Sequence, residues 1–179
     1  MDAYLAIVSK RDERSFDPRP VPQEAVERIL EAGRLAGSAH NRQPWRFLLV
    51  EDRDVRSQLA VCAFSPGLVV LAPLLIVVAA AAEGTRFAGF DAGRAAQNML
   101  LAGWAEGLAS CPAGLADPGR AAGLLRLGEG EPPVVALCFG YPRSPRDPTR
   151  RAVADWVRRA RRRPLSDVVR RLGRAGGDG

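Results

Sequence analysis

Lysine is almost missing from this chain: Lys10 is the only one among 26 basic residues, so arginine carries nearly all the positive charge. Histidine is as scarce, with His40 alone, and cysteine is limited to the widely spaced Cys62, Cys111 and Cys138. A zinc site takes about four nitrogen or sulfur ligands, usually with some in close pairs, so no metal site is expected. Three thiols cannot pair completely within one chain, which fits a reducing compartment. Long apolar runs are also lacking. The longest, residues 67–82, is interrupted by Pro73 and falls short of the ~20 residues of a membrane helix. The opening MDAYLAIVSKRDERSF places charge after a short apolar stretch and has no small-residue cleavage site, unlike a signal peptide. A cytoplasmic protein without membrane association is the expectation. No G-x-G-x-x-G follows a candidate strand, which leaves a Rossmann nucleotide site unsupported.

What is present suits one folded domain. The chain has 179 residues, 47% of them hydrophobic, enough for a single packed core. Its net charge of +6 is uneven, because residues 143–179 hold 12 arginines against four acids while the remainder is slightly acidic. A basic end admits a nucleic-acid-binding or interaction module as one reading. Arginine is the preferred base everywhere in this chain, however, which weakens the local signal. Solvated helix faces with a few anion contacts account for it, and no nucleic-acid partner is expected.

Apolar periodicity predicts a short helix over residues 1–9 and a second opened by Pro22, with Val26, Ile29, Leu30 and Gly33 on one face and Gly37-Ser38 as its stop. Residues 46–50 (RFLLV), 74–81 (LLIVVAAA) and 134–139 (VVALCF) read as strands, and 54–64 as a helix. Residues 91–108 form the most buried helix, uncharged from Ala95 to Ala105. Two arginine-rich helical stretches follow, around 152–161 and 165–172. Helices and strands mixed without regular βαβ alternation favour an α+β layered architecture.

Two clusters carry chemistry. Lys10-Arg11-Asp12-Glu13-Arg14 sets three cations within five residues, and guanidinium forks with an ammonium can clamp a phosphate. Seen alone, a solvated and self-paired turn is the commoner use of such a run. The second, Gly37-Ser38-Ala39-His40-Asn41-Arg42-Gln43-Pro44-Trp45, packs a hydroxyl and two amides between a helix end and a strand. It reads either as a ligand-binding loop walled by Trp45 or as a capped turn beside a core tryptophan.

In this order the two clusters resemble the opening of the nitroreductase family of flavoproteins, whose pattern is R-R-S-x-R-x-F, a Pro-Val, a helix ending A-P-S, then N-x-Q-P-W-x-F before a strand. The likeness runs through AIVSKRDERSFDPRPVPQEAVERILEAGRLAGSAHNRQPWRFLLV, APLLIVVAA, DAGRAAQNMLLAGWAEGLASCPAGL and VVALCFGYP, and ends at RRPLSDVV. It implies an α+β fold of the nitroreductase type, α/β/α in layers around a central, mainly antiparallel sheet and dimeric. A single FMN-binding domain over residues 1–172 would be followed by a flexible C-terminal tail over 173–179. The resemblance implies FMN as cofactor, with NADH or NADPH as electron donor and a small-molecule acceptor such as a nitroaromatic or a quinone. Lys10, Arg11 and Arg14 would contact the phosphate and ribityl chain, with Arg162 or Arg163 meeting the phosphate from the other end of the sequence. Ser38, Asn41 and Gln43 would contact flavin across a homodimer boundary with shared active sites. The segment Ser110-Cys111-Pro112-Ala113-Gly114, read as a loop, would pass along the isoalloxazine ring near N5.

Flavin N5 would carry the hydride in both directions, in ping-pong order, so no catalytic side chain is assigned and His40 is read as an exposed loop residue. Cys111, beside the ring, would tune the pocket by packing. Three positions depart from the pattern. Asp12 replaces a serine, which places a carboxylate in the clamp and keeps open a flavin-consuming or reductively dehalogenating relative as the alternative. Gly37 replaces a proline and should loosen its turn. The short segment 82–91 leaves out the helical excursion that covers the flavin in longer relatives, so the pocket would be open or covered by the arginine-rich C-terminal region. Enclosing a flavin would then need a second subunit, with helix 95–105 as interface core.

Overall fold

The computed structural model describes residues 1–81, 86–144 and 146–172. Five strands form one sheet: β1 (Phe16–Asp17), β2 (Trp45–Leu49), β3 (Leu74–Ala80), β4 (Ala109–Ala113) and β5 (Pro133–Pro142). β3 lies between β2 and β5, while β5 also pairs with β4 and, at its C-terminal end, with β1; every one of these ladders is antiparallel. All seven residues of β3 are buried, as its unbroken apolar sequence requires of a strand covered on both faces.

Side-chain alternation on the strands divides the core into two layers. Leu74, Ile76 and Val78, with Leu137 and Phe139 of β5, face α2 (Gln23–Arg34) and α5 (Ala88–Ala105). Leu75 and Val77, with Ala136 and Cys138, face α3 (Arg53–Val61), α4 (Pro66–Leu71) and α6 (Pro118–Leu124). The result is the expected α+β fold, α/β/α in layers around an antiparallel sheet.

α5 begins and ends about a turn earlier than the helix expected over residues 91–108. Gly107 ends it at φ +77, where Gly107 N–H donates to the Trp104 carbonyl and Leu108 N–H to the Gly103 carbonyl at 2.9 Å. That left-handed cap is cheap only for glycine. Small residues let α5 lie close to its neighbours: a Cβ on Gly103 would sit 2.8 Å from the Phe139 ring, and one on Gly33 of α2 would sit 2.8 Å from Met99.

Two expectations need correction, and two helices, α4 and α6, were not expected. Residues 110–113 belong to strand β4, not to a loop, and only Gly114 lies beyond it. Pro112 hid the strand; a residue without an N–H is tolerated where the outer edge has few ladder bonds. The apolar run from residue 67 is divided between α4 and β3 at Pro73. Helix α6 was not foreseen, although Asp117 caps it through Arg120 N–H with Pro118 at its first position, a legible start signal. The last arginine-rich helix, α8 (Leu165–Val168), stops short of residue 172. The connection over 82–91 falls partly on residues 82–85, and the tail over 173–179, so both expectations lie outside the described residues.

Candidate functional site

The N-terminal helix α1 (Ala3–Ser9) is fixed to the core by one buried polar contact. The Ser9 hydroxyl donates to the Leu5 carbonyl at 2.6 Å and accepts from Trp104 Nε1 at 2.9 Å. The chain then turns so that Asp12 bridges to Ser110 and Glu13 N–H donates to the Ser110 carbonyl at 3.1 Å. This brings the Lys10–Arg14 cluster against β4. From the other end of the chain, α7 (Val153–Arg159) packs on α1. Arg11 holds it there: Nη1 donates to the Val8 and Lys10 carbonyls, both at 2.7 Å, and Nη2 donates to the Trp156 carbonyl at 2.8 Å. Trp156 is buried and lies under two cations, with Arg11 and Arg151 at 5.8 and 5.0 Å from its ring centroid.

Between α1, α5, β4 and the α7–α8 connection lies a cleft of about 880 Å³. Lys10, Arg11, Asp12, Pro112, Arg162 and Arg163 all line it, so two stretches about 150 residues apart in sequence meet as expected. Tyr4 and Ile7 of α1, Leu100 of α5, and Val157 and Leu165 add an apolar wall, with the Gln97 amide beside it, that the sequence reading did not single out. Asp12 is ion-paired with Lys10 and does not stand in the clamp as a lone anion. The Arg11 guanidinium is held below its ordinary pKa, first by burial and then by repulsion from Arg162 and Arg146. A protein that gathers like charges in one concavity supplies a seat for an anion.

The remaining residues sort by strand geometry. Ser110 shares the Pro112 face of β4, and its buried hydroxyl has no hydrogen-bond partner among the described residues. Cys111 and Ala113 point the other way, into the core beside Cys138, so only their backbone can serve a ligand in the cleft. That corrects the placement of the Cys111 side chain beside the ring. Burial pushes the Cys111 thiol up, and pushes that of Cys138 to about 12. Gly114 accepts Phe64 N–H and is exposed, and Arg14 is exposed outside the lining of the cleft.

Ser38, Asn41 and Gln43 do not line this cleft. They form a compact loop in which the Ser38 hydroxyl accepts Gln43 N–H at 2.9 Å and Gln43 Nε2 donates to Asn41. Asp91, buried near the start of α5, accepts Ala39 N–H at 2.9 Å and ties the loop down. His40, Asn41 and Gln43 all have φ between 52 and 55, a left-handed run that non-glycine residues adopt only when their surroundings impose it. His40 is exposed on this loop, away from the cleft. The space at Gly37 is filled by the Arg94 guanidinium, against which a Cβ would collide.

The layered antiparallel fold is that of nitroreductase-type proteins. The nitroreductase family model matches residues 7–69 and 63–141, and the chain belongs to that family; it is an oxidoreductase enzyme. It is 31% identical over 149 residues, 79% of this chain and 78% of the relative, to a protein of Methanothermobacter thermautotrophicus provisionally named NADH dehydrogenase/NAD(P)H nitroreductase. Among solved structures, a nitroreductase family protein of Clostridium difficile 630 superposes with a TM-score of 0.80 at 24% identity, covering 95% of this chain and 98% of its own. An FMN-dependent nitroreductase, also of Clostridium difficile, gives 0.74 at 23%, over 79% and 88%. At those identities the two structures speak for the fold. Among the described residues, no helix is long and apolar enough to cross a membrane.

Proposed function

We propose that this protein binds FMN in the cleft as a homodimer and reduces small electrophilic acceptors, such as nitroaromatics or quinones, at the expense of NADH or NADPH. The observation that carries the reading is the convergence of Lys10, Arg11, Arg162 and Arg163 on one cavity whose lining includes a single acid, Asp12. The residues present fit the group. Guanidinium and ammonium donors suit a terminal phosphate, the volume suits a ligand of flavin size, and the unpartnered Ser110 hydroxyl on the Pro112 face offers a polar contact. The FMN dependence of a structural relative supports the same cofactor.

Bound there, FMN would supply the acceptance of hydride from the nicotinamide and its delivery to the acceptor. The chain's own residues bind and orient. Lys10 holds Asp12, which is then placed to accept a ribityl hydroxyl, and Arg162 with Arg163 closes on the phosphate. Arg11 anchors α7 and keeps N–H groups for the ligand, since three of its five donors are used. Backbone along β4 flanks the ring. The compact Ser38–Gln43 loop, outside the cleft of its own chain, reaches the flavin of a second copy, with the uncharged stretch Ala95–Ala105 of α5 between them. One FMN-binding domain spans residues 1–172, and the protein works in the cytoplasm.

The test is absorbance and light scattering on the purified protein. A flavin spectrum at one FMN per chain, in a dimer that NADH or NADPH bleaches without oxygen, is the expected result. A monomer retaining stoichiometric flavin would overturn the shared site. Bound FAD would overturn the phosphate assignment, because an arginine clamp on a terminal phosphate leaves no room for an adenylate.

A further inference from the structure

The cleft holds more positive charge than one cofactor phosphate uses. Six cationic side chains line it: Lys10, Arg11, Arg158, Arg161, Arg162 and Arg163. Lys10 is paired with Asp12, and Arg158 with Asp155 at 2.6 Å. The other four have no acidic partner among the described residues. A phosphate monoester carries about two negative charges at neutral pH, so it balances only two of those four. Arg161 is the one of these four to which the FMN reading gives no role. It has φ +49, in a turn between α7 and α8 where its N–H donates to the Arg158 carbonyl at 3.3 Å. A left-handed residue there closes the helix, as Arg126 at φ 53 closes α6, so it is the place of Arg161 in the cleft that matters.

We propose that the cleft draws its electrons from NADPH in preference to NADH, with Arg161 seating the 2′-phosphate. This rests on the FMN reading above. The surplus charge lies at the α7–α8 end, beside the clamp, whereas a small acceptor stacked on the ring would sit toward β4. Only a donor with a long nucleotide arm spans both places, and the one group that distinguishes NADPH from NADH is a dianion on that arm. The chemistry is unchanged: NADPH loses a hydride, two electrons with one proton, and leaves as NADP⁺, while the bound flavin receives the hydride.

Two measurements test the proposal: kcat/KM for each donor on the flavin-loaded enzyme, and calorimetric affinity for 2′,5′-ADP against 5′-AMP. NADPH should exceed NADH by at least about tenfold, and 2′,5′-ADP should bind correspondingly tighter. Arg161→Gly keeps the left-handed turn and removes the charge. It should lower both NADPH kcat/KM and 2′,5′-ADP affinity by about tenfold to a hundredfold, with a far smaller loss for NADH and no loss of flavin. Arg161→Lys should recover part of the preference. Equal use of both donors, equal binding of both nucleotides, or equal losses in Arg161→Gly would overturn the proposal while leaving the flavin reading intact. A protein that takes up no FMN would overturn both.

Discussion

Arg11 serves two ends at once. It bonds three carbonyls, one of them 145 residues away on α7, and the same guanidinium lines the cleft beside Arg162. Loss of a charge-assisted contact costs about 1.5–3 kcal/mol, so Arg11→Ala and Arg162→Ala should each weaken FMN binding roughly tenfold to a hundredfold. Arg158 is exposed and already paired with Asp155, so Arg158→Ala should cost well under about 1 kcal/mol. Equal losses in titrations of all three apoproteins would mean that bulk charge, not individual contacts, holds the phosphate. Cys138 gives a second residue-level expectation. Its folded pKa, raised to about 12 from 9.0 by burial, means that the neutral thiol is the form the fold accepts. The contribution is intact below pH 9 and is lost as pH rises toward 12, at about 1.4 kcal/mol per pH unit. Denaturant midpoints should fall more steeply with alkaline pH in the wild type than in Cys138→Ala; parallel curves would refute this.

Among the elements, α5 organises the molecule. Its buried face packs on the sheet and α2, its last turn receives α1 through Trp104 and Ser9, and Gln97 and Leu100 reach the cleft. Tight packing makes its small residues sensitive. In Gly103→Ala the new Cβ would press on Phe139, which is fully buried and has nowhere to go. Overpacking of this kind costs about 1–3 kcal/mol, more than the roughly 1 kcal/mol that alanine gains in helix propensity. Gly123→Ala on α6, where a Cβ meets nothing within 4 Å, should instead be neutral or stabilising. Thermal unfolding of the two variants would separate them, and a stabilised Gly103→Ala would show that the α5–sheet contact is looser than described.

For the whole molecule, the proposed function predicts an order of reaction. With FMN bound in the cleft as proposed, a single place would remain over the ring, so donor and acceptor should take turns. Steady-state plots at several acceptor concentrations should run parallel, and intersecting lines would require a ternary complex. His40, exposed at φ 53 on a loop outside the cleft, should be dispensable for reduction of the flavin within its own chain. The rate of anaerobic bleaching in His40→Ala should stay within a few fold of wild type, whereas general acid catalysis would be worth about 10²–10⁴. A drop of that size with flavin still bound would make the histidine a catalytic group, supplied by a second subunit.

Much of this was legible in the sequence. Short apolar runs and helical spacing marked β2, β3, β5, α1, α2 and α5 to within a few residues, because a local pattern of apolar side chains states how an element is covered. The motifs at Lys10–Arg14, Ser38–Gln43 and Arg162–Arg163 were readable only through the resemblance to the nitroreductase family, since each by itself suits a solvated turn or helix face. What the sequence could not state was which of these meet. β4 depends on β5 and the Asp12 bridge for its ladder, so Pro112 concealed it until its partners were placed. Cys111 faces the layer of α3, α4 and α6 and Ser110 the opposite side because strand register, absent from a segment read as a loop, decides the side. The Lys10 and Arg162 clusters share a cavity while the Ser38 loop lies outside it, because Trp156 carries α7 onto α1 and Asp91 ties the loop to the start of α5. Contacts between residues so far apart in the chain have no local pattern to announce them; they exist only once the layers have packed.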